Sequence, residues 1–207
     1  MKKRNIALAV GGAIGTAVAV KLLTRPDTVE FENVASRVPH SDRSKFISVD
    51  GIRLHYQEFG DAAAPPMLLI HGYTASVYVW KTVAPVLADA GYRVIAVDLV
   101  GYGYSEKPSW FDYAIQSQAR ILSRLLSRLG IGRAVVVGSS YGGAVALNIT
   151  LDNSEMVEKL VLVDAVINDA QKNHPILRLA AIPGVGESLT PLLRDSRFLI
   201  RKPMQRT

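Results

Sequence analysis

The chain of 207 residues is long enough for one domain with a sizeable hydrophobic core, because 49% of its residues are apolar and 20% are charged. It has no cysteine, which excludes a disulfide framework, a thiol nucleophile and a thiolate metal site. The net charge of +6 comes from groups spread along the sequence. That spread favours solvated surfaces over a nucleic-acid interface, and we expect no nucleic-acid partner.

The N-terminus carries a basic and then an apolar stretch. Lys2, Lys3 and Arg4 precede Ile6–Val20, fifteen residues without a charge. A helix of that length spans about 22 Å, which is short of the roughly 30 Å of a bilayer core. The two leucines that follow Lys21 bring the segment close to a full span, with the lysine reaching toward the interface.

Residues 1–25 are therefore predicted to be an N-terminal membrane anchor. The alternative is a secretory signal that is cleaved after Ala17-Val18-Ala19. The basic end stays in the cytoplasm in both cases, so the domain is expected outside it, either anchored to the membrane or secreted into the periplasm or medium. Residues 26–44 contain two prolines among polar residues and are predicted to be a linker.

From residue 45 onward, apolar runs alternate with helical patterns, and Asp50-Gly51 is a hairpin signal between the first two runs. The predicted strands are Phe46–Val49, Ile52–Phe59, Met67–Ile70, Arg93–Leu99, Arg133–Val137 and Lys159–Val163. The predicted helices are Tyr78–Ala90, which Pro85 should bend or split, Asp112–Leu129, and a helix through Ala144–Ile149. This order indicates the α/β class, with helices on both faces of a mostly parallel sheet.

The segment Gly138-Ser139-Ser140-Tyr141-Gly142 fits the pattern G-x-S-x-G between an apolar strand and a helix. This context is typical of a nucleophile elbow centred on Ser140. The two flanking glycines allow the backbone to approach closely in the tight strand-to-helix turn. The sequence therefore predicts Ser140 as a nucleophile at the carboxyl end of a strand.

Three segments in order resemble motifs of the α/β-hydrolase superfamily, of the AB hydrolase-1 type. They are Leu69–Tyr73, which resembles its oxyanion segment, Asp98–Pro108, which resembles its D-x-x-G-x-G-x-S segment, and the elbow at Gly138–Gly142. The resemblance covers about residues 45–165 and implies the α/β-hydrolase core, with its last strands missing. Residues 166–207 resemble the start of a helical cap or lid.

The resemblance also implies roles for individual residues. Ser140 would form an acyl-enzyme, and the backbone N–H groups of Tyr73 and Tyr141 would stabilise the oxyanion. Gly72, Tyr102 and Tyr104 are the predicted substrate-binding residues. The alternative for the two tyrosines is that their rings cover the core. The sequence shows no metal-binding or nucleotide-binding motif, and we expect neither a cofactor nor a metal site.

The family's triad runs in the order serine, acid, histidine. In this chain Asp164 and His174 satisfy that order, and they are the candidates for acid and base. The family, however, places its acid and histidine after later strands, and none is found between residues 165 and 207. We therefore expect the chain to be a fragment that lacks the catalytic histidine. The alternatives are a non-catalytic binding protein and a shortened enzyme that uses His174.

The elbow residue narrows the reaction. Haloalkane dehalogenases and epoxide hydrolases of this superfamily use aspartate there, whereas this chain has Ser140. We expect a small-molecule carboxylic ester or an acyl lipid as the substrate, with a membrane contact through the N-terminal segment. A carbon–carbon bond hydrolase is the alternative, and the oligomeric state stays open.

Overall fold

The computed structural model describes residues 29–166. Its strands are β1 (Ser44–Val49), β2 (Ile52–Phe59), β3 (Pro66–Ile70), β4 (Arg93–Val97), β5 (Ala134–Ser139) and β6 (Val157–Val163). Its helices are α1 (Phe31–Val34), α2 (Val83–Asp89), α3 (Ile115–Arg128) and α4 (Tyr141–Asp152). Short 3₁₀ turns occupy Ala35–Arg37, Ser41–Arg43, Val77–Trp80 and Ser154–Met156. The predicted anchor and His174 lie outside the described residues.

The six strands form one sheet in the order β1-β2-β4-β3-β5-β6. β1 and β2 are antiparallel to their neighbours, whereas β4, β3, β5 and β6 run parallel. The predicted α/β class and mostly parallel sheet are confirmed. At the centre, Leu69 of β3 lies between Ala96 of β4 and Val137 of β5.

The hairpin between β1 and β2 follows from its two turn residues. Asp50 and Gly51 have φ angles of 52° and 81°, as a tight primed hairpin turn requires. Glycine adopts this conformation without steric cost, and aspartate tolerates it better than most residues.

Hydrophobic clusters cover both faces of the sheet, which explains why the central strands are continuous apolar runs. On one face, Ile70 of β3 belongs to a cluster that includes Leu122 of α3 and Val145 of α4. On the other face, Leu69 belongs to a cluster that includes Trp80 and Ala84. The alternation of β3 side chains between the two clusters fixes the register of the strand.

The predicted helix Tyr78–Ala90 is split, but not at Pro85. A 3₁₀ turn ends at Trp80, and α2 begins at Val83, so that Pro85 lies in the first helical turn. Proline is tolerated there because the first N–H groups of a helix have no intrahelical acceptor.

The described sheet ends at β6, which pairs with β5. Side chains on both faces of β6 are partly exposed, including Val161 at 42% and Leu162 at 41%. Among residues 29–166, no helix combines the length and the apolar character needed to cross a membrane.

Candidate active site

Ser140 occupies the turn between β5 and α4 with φ 51° and ψ −116°. Such a conformation costs a non-glycine residue about 1–3 kcal/mol and persists only where the surroundings hold it. Here the Ser140 N–H donates to the Val163 carbonyl at 2.9 Å, and the Ser140 carbonyl accepts from Gly143 at 3.0 Å and Val166 at 3.1 Å. The end of β6 therefore helps to hold the strained residue in place.

The elbow glycines are required by close backbone contacts. A Cβ atom on Gly138 would overlap the Gly142 carbonyl oxygen and lie 2.7 Å from Gly143 Cα. A Cβ atom on Gly142 would overlap the carbonyl oxygens of Ile70 and His71. The elbow thus packs directly against the end of β3, where the predicted oxyanion segment begins.

The loop after β3 passes beside the nucleophile. A Cβ atom on Gly72 would lie 3.2 Å from Ser140 Cβ and 3.7 Å from Ser140 Oγ. The next residue is Tyr73, a predicted oxyanion donor. Within residues 29–166, neither the Tyr73 N–H nor the Tyr141 N–H donates to a backbone carbonyl. Tyr141 is also the first residue of α4, so the positive end of the helix dipole lies at Ser140.

Tyrosine rings cluster beside this loop. The Tyr73 ring lies 6.2 Å from both the Tyr102 and the Tyr141 ring centroids, in edge-to-face geometry. Burial, followed by the neighbouring Tyr141 and Tyr73, raises the pKa of Tyr102, which keeps its phenol neutral. The structure therefore places the predicted substrate-binding residues Gly72 and Tyr102 in one neighbourhood with both predicted oxyanion donors.

Tyr113 belongs to this neighbourhood, although the sequence patterns gave no sign of it. Its carbonyl accepts a 3.3 Å hydrogen bond from the Tyr141 hydroxyl, and its own hydroxyl donates to the Pro108 carbonyl at 2.9 Å. Its ring also fills the space that a Cβ atom on Gly101 would need. A glycine shows only that a side chain is not tolerated at its position, so Gly101 did not identify Tyr113 as the residue that packs there.

Tyr104 is placed differently. Its ring lies 5.1 Å from Phe31 and 5.4 Å from His55, between ring centroids. Its backbone N–H donates to Asp98 Oδ2 at 3.0 Å. No contact in the described part of the chain joins the Tyr104 ring to Ser140 or Gly72, so its substrate-binding role stays a prediction without support from these contacts.

Asp98, directly after β4, is fully buried and ionised. Its carboxylate accepts hydrogen bonds from His55 Nδ1 at 2.7 Å and from the Val77 N–H at 2.7 Å, in addition to Tyr104. Burial alone would raise the pKa of Asp98, but the hydrogen bond and charge of His55, together with the two backbone N–H groups, outweigh it and lower that pKa. Asp98 therefore fixes loops, and the histidine that hydrogen-bonds to it is His55 of β2.

His71 is also committed to structure. Its Nδ1 donates to the Gly72 carbonyl at 2.8 Å, and its Nε2 accepts from the Leu99 N–H at 3.1 Å, which defines one neutral tautomer. Burial lowers the pKa of His71, and the Gly72 carbonyl and Asp98 oppose this only in part. His71 thus shapes the loop after β3 and is not available as a general base.

The candidate acid Asp164 lies within the described residues, but its candidate partner does not. Asp164 lies at the carboxyl end of β6 with φ 48° and an exposed side chain, next to the residue whose carbonyl holds the Ser140 N–H. The candidate base His174 lies outside the described residues. No histidine within residues 29–166 hydrogen-bonds to Ser140. His40 binds the Lys81 carbonyl, His55 binds Asp98 and Ser44, and His71 binds the Gly72 carbonyl and the Leu99 N–H. The acid and base roles of Asp164 and His174 stay predictions.

Comparison with known proteins agrees with this geometry. A sequence model described as "alpha/beta hydrolase fold" matches residues 65–185. The AB hydrolase superfamily protein YfhM of Bacillus subtilis is 36% identical over 123 residues, which are 59% of this chain and 43% of that protein. The soluble epoxide hydrolase of a Corynebacterium strain is 39% identical over 119 residues, 57% of this chain and 40% of that one.

Solved structures show the same likeness. Cfl2 from Burkholderia cenocepacia superposes with a TM-score of 0.65 at 31% identity, covering 73% of this chain and 55% of Cfl2. A bacterial membrane phospholipase A gives 0.61 at 28% identity, with 80% and 53% covered. A meta-cleavage product hydrolase from Pseudomonas fluorescens gives 0.55 at 34% identity, with 58% and 44% covered. The chain thus spans less than half the length of the two relatives above and about half of these structures.

Proposed function

Because the chain belongs to the alpha/beta hydrolase fold family, we propose that it is a serine hydrolase that cleaves carboxylic esters or acyl lipids through an acyl-enzyme on Ser140. The observation that carries this proposal is the approach of Gly72 to Ser140. The Cβ site of Gly72 lies 3.7 Å from Ser140 Oγ, so the loop that holds the Tyr73 N–H borders the space where an attacked carbonyl would sit.

In the proposed reaction, Ser140 Oγ attacks the acyl carbonyl carbon while a histidine takes the hydroxyl proton. The carbonyl oxygen becomes an oxyanion that accepts from the Tyr73 and Tyr141 N–H groups, in front of the α4 N-terminus. The intermediate then releases the alcohol, which receives the proton from the histidine, and leaves an acyl ester on Ser140. Attack by water, activated by the same histidine, releases the acid and restores the serine.

The base in this reaction is either His174 or a histidine outside this chain. Asp164, at the end of the neighbouring strand, is the candidate acid. Because the chain covers only 43% and 40% of two of its relatives, a longer product of the same reading frame should be tested beside it. A non-catalytic binding protein is the remaining alternative, and it predicts ligand binding without turnover in both forms.

For the substrate, an apolar acyl group suits the Tyr73, Tyr102 and Tyr141 rings beside the nucleophile. The similarity to a membrane phospholipase A favours an acyl lipid among such esters. We propose with it that residues 1–25 hold the domain at a membrane, outside the cytoplasm. The secreted or periplasmic form after signal cleavage is the alternative.

Carbon–carbon bond hydrolysis is the second candidate, favoured by the similarity to a meta-cleavage product hydrolase. The similarity to an epoxide hydrolase does not extend the proposal to epoxides. The elbow residue here is a serine, whose hydroxyl takes up an acyl group. An aspartate at this position would instead bond to the substrate through its own carboxylate and take up an alkyl group.

The test is hydrolysis of p-nitrophenyl esters of increasing chain length, of a phospholipid, and of a vinylogous diketone as a carbon–carbon substrate. It uses this chain and any longer product of the reading frame. Ser140→Ala should lower turnover by about 10⁴-fold or more, whereas Ser139→Ala, the same change one residue away, should stay within threefold. Loss of turnover in His174→Ala would identify His174 as the base. Turnover that survives Ser140→Ala would overturn the proposal.

A further inference from the structure

Buried polar groups on separate elements meet at one point beneath the loops after β3 and β4. His55 of β2 and Asp98 are fully buried, and Ser105 is 2% exposed. The reaction proposed above assigns no chemistry to His55, although its Nδ1 lies 2.7 Å from Asp98 Oδ2. Polar groups this deeply buried persist when they satisfy one another, so their arrangement is specific.

The Asp98 carboxylate distributes its two oxygens between strand and loops. Oδ2 accepts from His55 Nδ1 at 2.7 Å and from the Tyr104 N–H at 3.0 Å, whereas Oδ1 accepts from the Val77 N–H at 2.7 Å. A carboxylate is free to rotate about its own axis unless its partners fix both oxygens. The His55 ring, the shorter of the two contacts on Oδ2, therefore helps the Tyr104 N–H to fix where Oδ1 points.

The hydrogen bond from the Val77 N–H to Asp98 Oδ1 anchors the far end of the oxyanion loop, residues 71–77. At its near end, His71 Nε2 accepts from the Leu99 N–H. Between these two anchors, the Gly72 carbonyl accepts from His71 Nδ1 at 2.8 Å and from the Ala75 N–H at 3.3 Å, and Thr74 has φ 58°. The position of the Tyr73 N–H therefore depends on both anchors.

His55 is itself held on every side. Its Nε2 lies 3.0 Å from Ser44 Oγ, and its backbone N–H donates to Ser105 Oγ at 2.9 Å. The Phe31 and Phe46 rings flank the imidazole, at 5.6 Å and 5.0 Å between centroids. The ring is thus a rigid support and not a mobile acid or base.

We propose that His55 is a positioning residue for the oxyanion hole, acting through the Asp98 carboxylate on the Val77 N–H and so on the Tyr73 N–H. This inference rests on the proposed function for its kinetic part. A displaced oxyanion donor weakens binding of the transition state but not of the ground state, so loss of His55 should lower kcat and leave KM nearly unchanged.

The experiment compares His55→Leu with His55→Asn, whose side-chain amide keeps a donor near the Nδ1 position. Leu54→Ala, a neighbouring buried position on β2, is the control for lost stability. Amide hydrogen exchange of Val77 and Tyr73 is measured in the full chain without substrate, and kcat and KM are measured with a p-nitrophenyl ester. Ser44→Ala, which removes the second partner of the ring, serves if His55→Leu does not fold.

We expect His55→Leu to speed Val77 exchange by about tenfold or more and to lower kcat by about tenfold, with His55→Asn restoring most of both. Leu54→Ala should lower the melting temperature without either effect. Unchanged Val77 exchange in His55→Leu and Ser44→Ala would overturn the proposal, even if activity fell. Absence of any Ser140-dependent turnover, both in this chain and in a longer product of the same reading frame, would refute the proposed function. The exchange data would then decide alone whether His55 holds the loop.

Discussion

The ends of β4 and β5 lie on either side of β3 and serve opposite purposes. At the end of β4, both oxygens of the buried Asp98 are occupied by hydrogen-bond donors. At the end of β5, Ser140 has a strained backbone, and the Tyr73 and Tyr141 N–H groups beside it have no backbone acceptor within residues 29–166. At the end of β4 the hydrogen-bonded carboxylate holds loops in place, whereas the end of β5 leaves donors available for a ligand.

The difference teaches how one sheet edge can be both rigid and reactive. A buried ion is tolerated only when it is fully hydrogen-bonded, so the Asp98 end gains rigidity from its donors. A strained residue persists only when neighbouring structure enforces it, so the Ser140 end depends on close packing by glycines. The two ends should therefore fail in different ways when altered.

The largest effect is expected at the elbow. Gly138→Ala places a Cβ atom into the backbone of Gly142 and Gly143, so the turn must open, at a cost of about 4 kcal/mol in unfolding free energy. Gly132→Ala is the matched control, because nothing lies within 4 Å of its Cβ position. Urea unfolding measures both. Equal stabilities of the two variants would contradict the view that the elbow is closely packed.

The second effect concerns the pH dependence of the stabilisation by Asp98 at the end of β4. Asp98→Asn replaces charge-assisted hydrogen bonds in a buried site and should lower the unfolding free energy by about 3 kcal/mol at pH 7. The pKa of Asp98 is below its ordinary 3.8 in the folded protein, so the stabilisation is present above that value and is lost as pH falls through the folded pKa.

The stability difference between wild type and Asp98→Asn should accordingly shrink as pH drops below about 4. Asp89→Asn, a change at an exposed aspartate, is the control and should differ little from wild type at any pH. Urea midpoints across this range measure the effect. A difference that grows in acid would show that Asp98 is not stabilised as the carboxylate.

The smallest effect is expected at the Tyr141 side chain, next to Ser140. Tyr141→Phe removes one exposed hydrogen bond of 3.3 Å to the Tyr113 carbonyl and should cost less than about 1 kcal/mol. Because the oxyanion donor is the backbone N–H of Tyr141, turnover should stay within about threefold. A loss of 100-fold or more would mean that the phenol takes part in the reaction.

Local signals predicted most of the fold. The strands are short apolar runs bounded by glycine, proline or aspartate, and the elbow glycines sit next to the residue they serve, so each pattern is readable in a few residues. The predicted bend or split at Pro85 is wrong in its position, because proline is acceptable in a first helical turn. The sequence alone does not show where that turn begins.

The contacts around Asp98 were not predictable in the same way. His55 and Asp98 are 43 residues apart, and their pairing requires that β2 and β4 lie next to each other in antiparallel register. A histidine within a predicted strand gives no sign of its partner. The direction of the Tyr104 ring was equally hidden, because it depends on Phe31 in the segment predicted as a linker.

The measurement that tests the central claim most directly is covalent labelling of Ser140 by a fluorophosphonate, followed by peptide mass mapping of this chain and of any longer product of the same reading frame. We predict one adduct, on the peptide that contains Ser140, that is lost in Ser140→Ala and kept in Ser139→Ala. An adduct on another residue, or no adduct in either form, would contradict the assignment of Ser140 as the nucleophile.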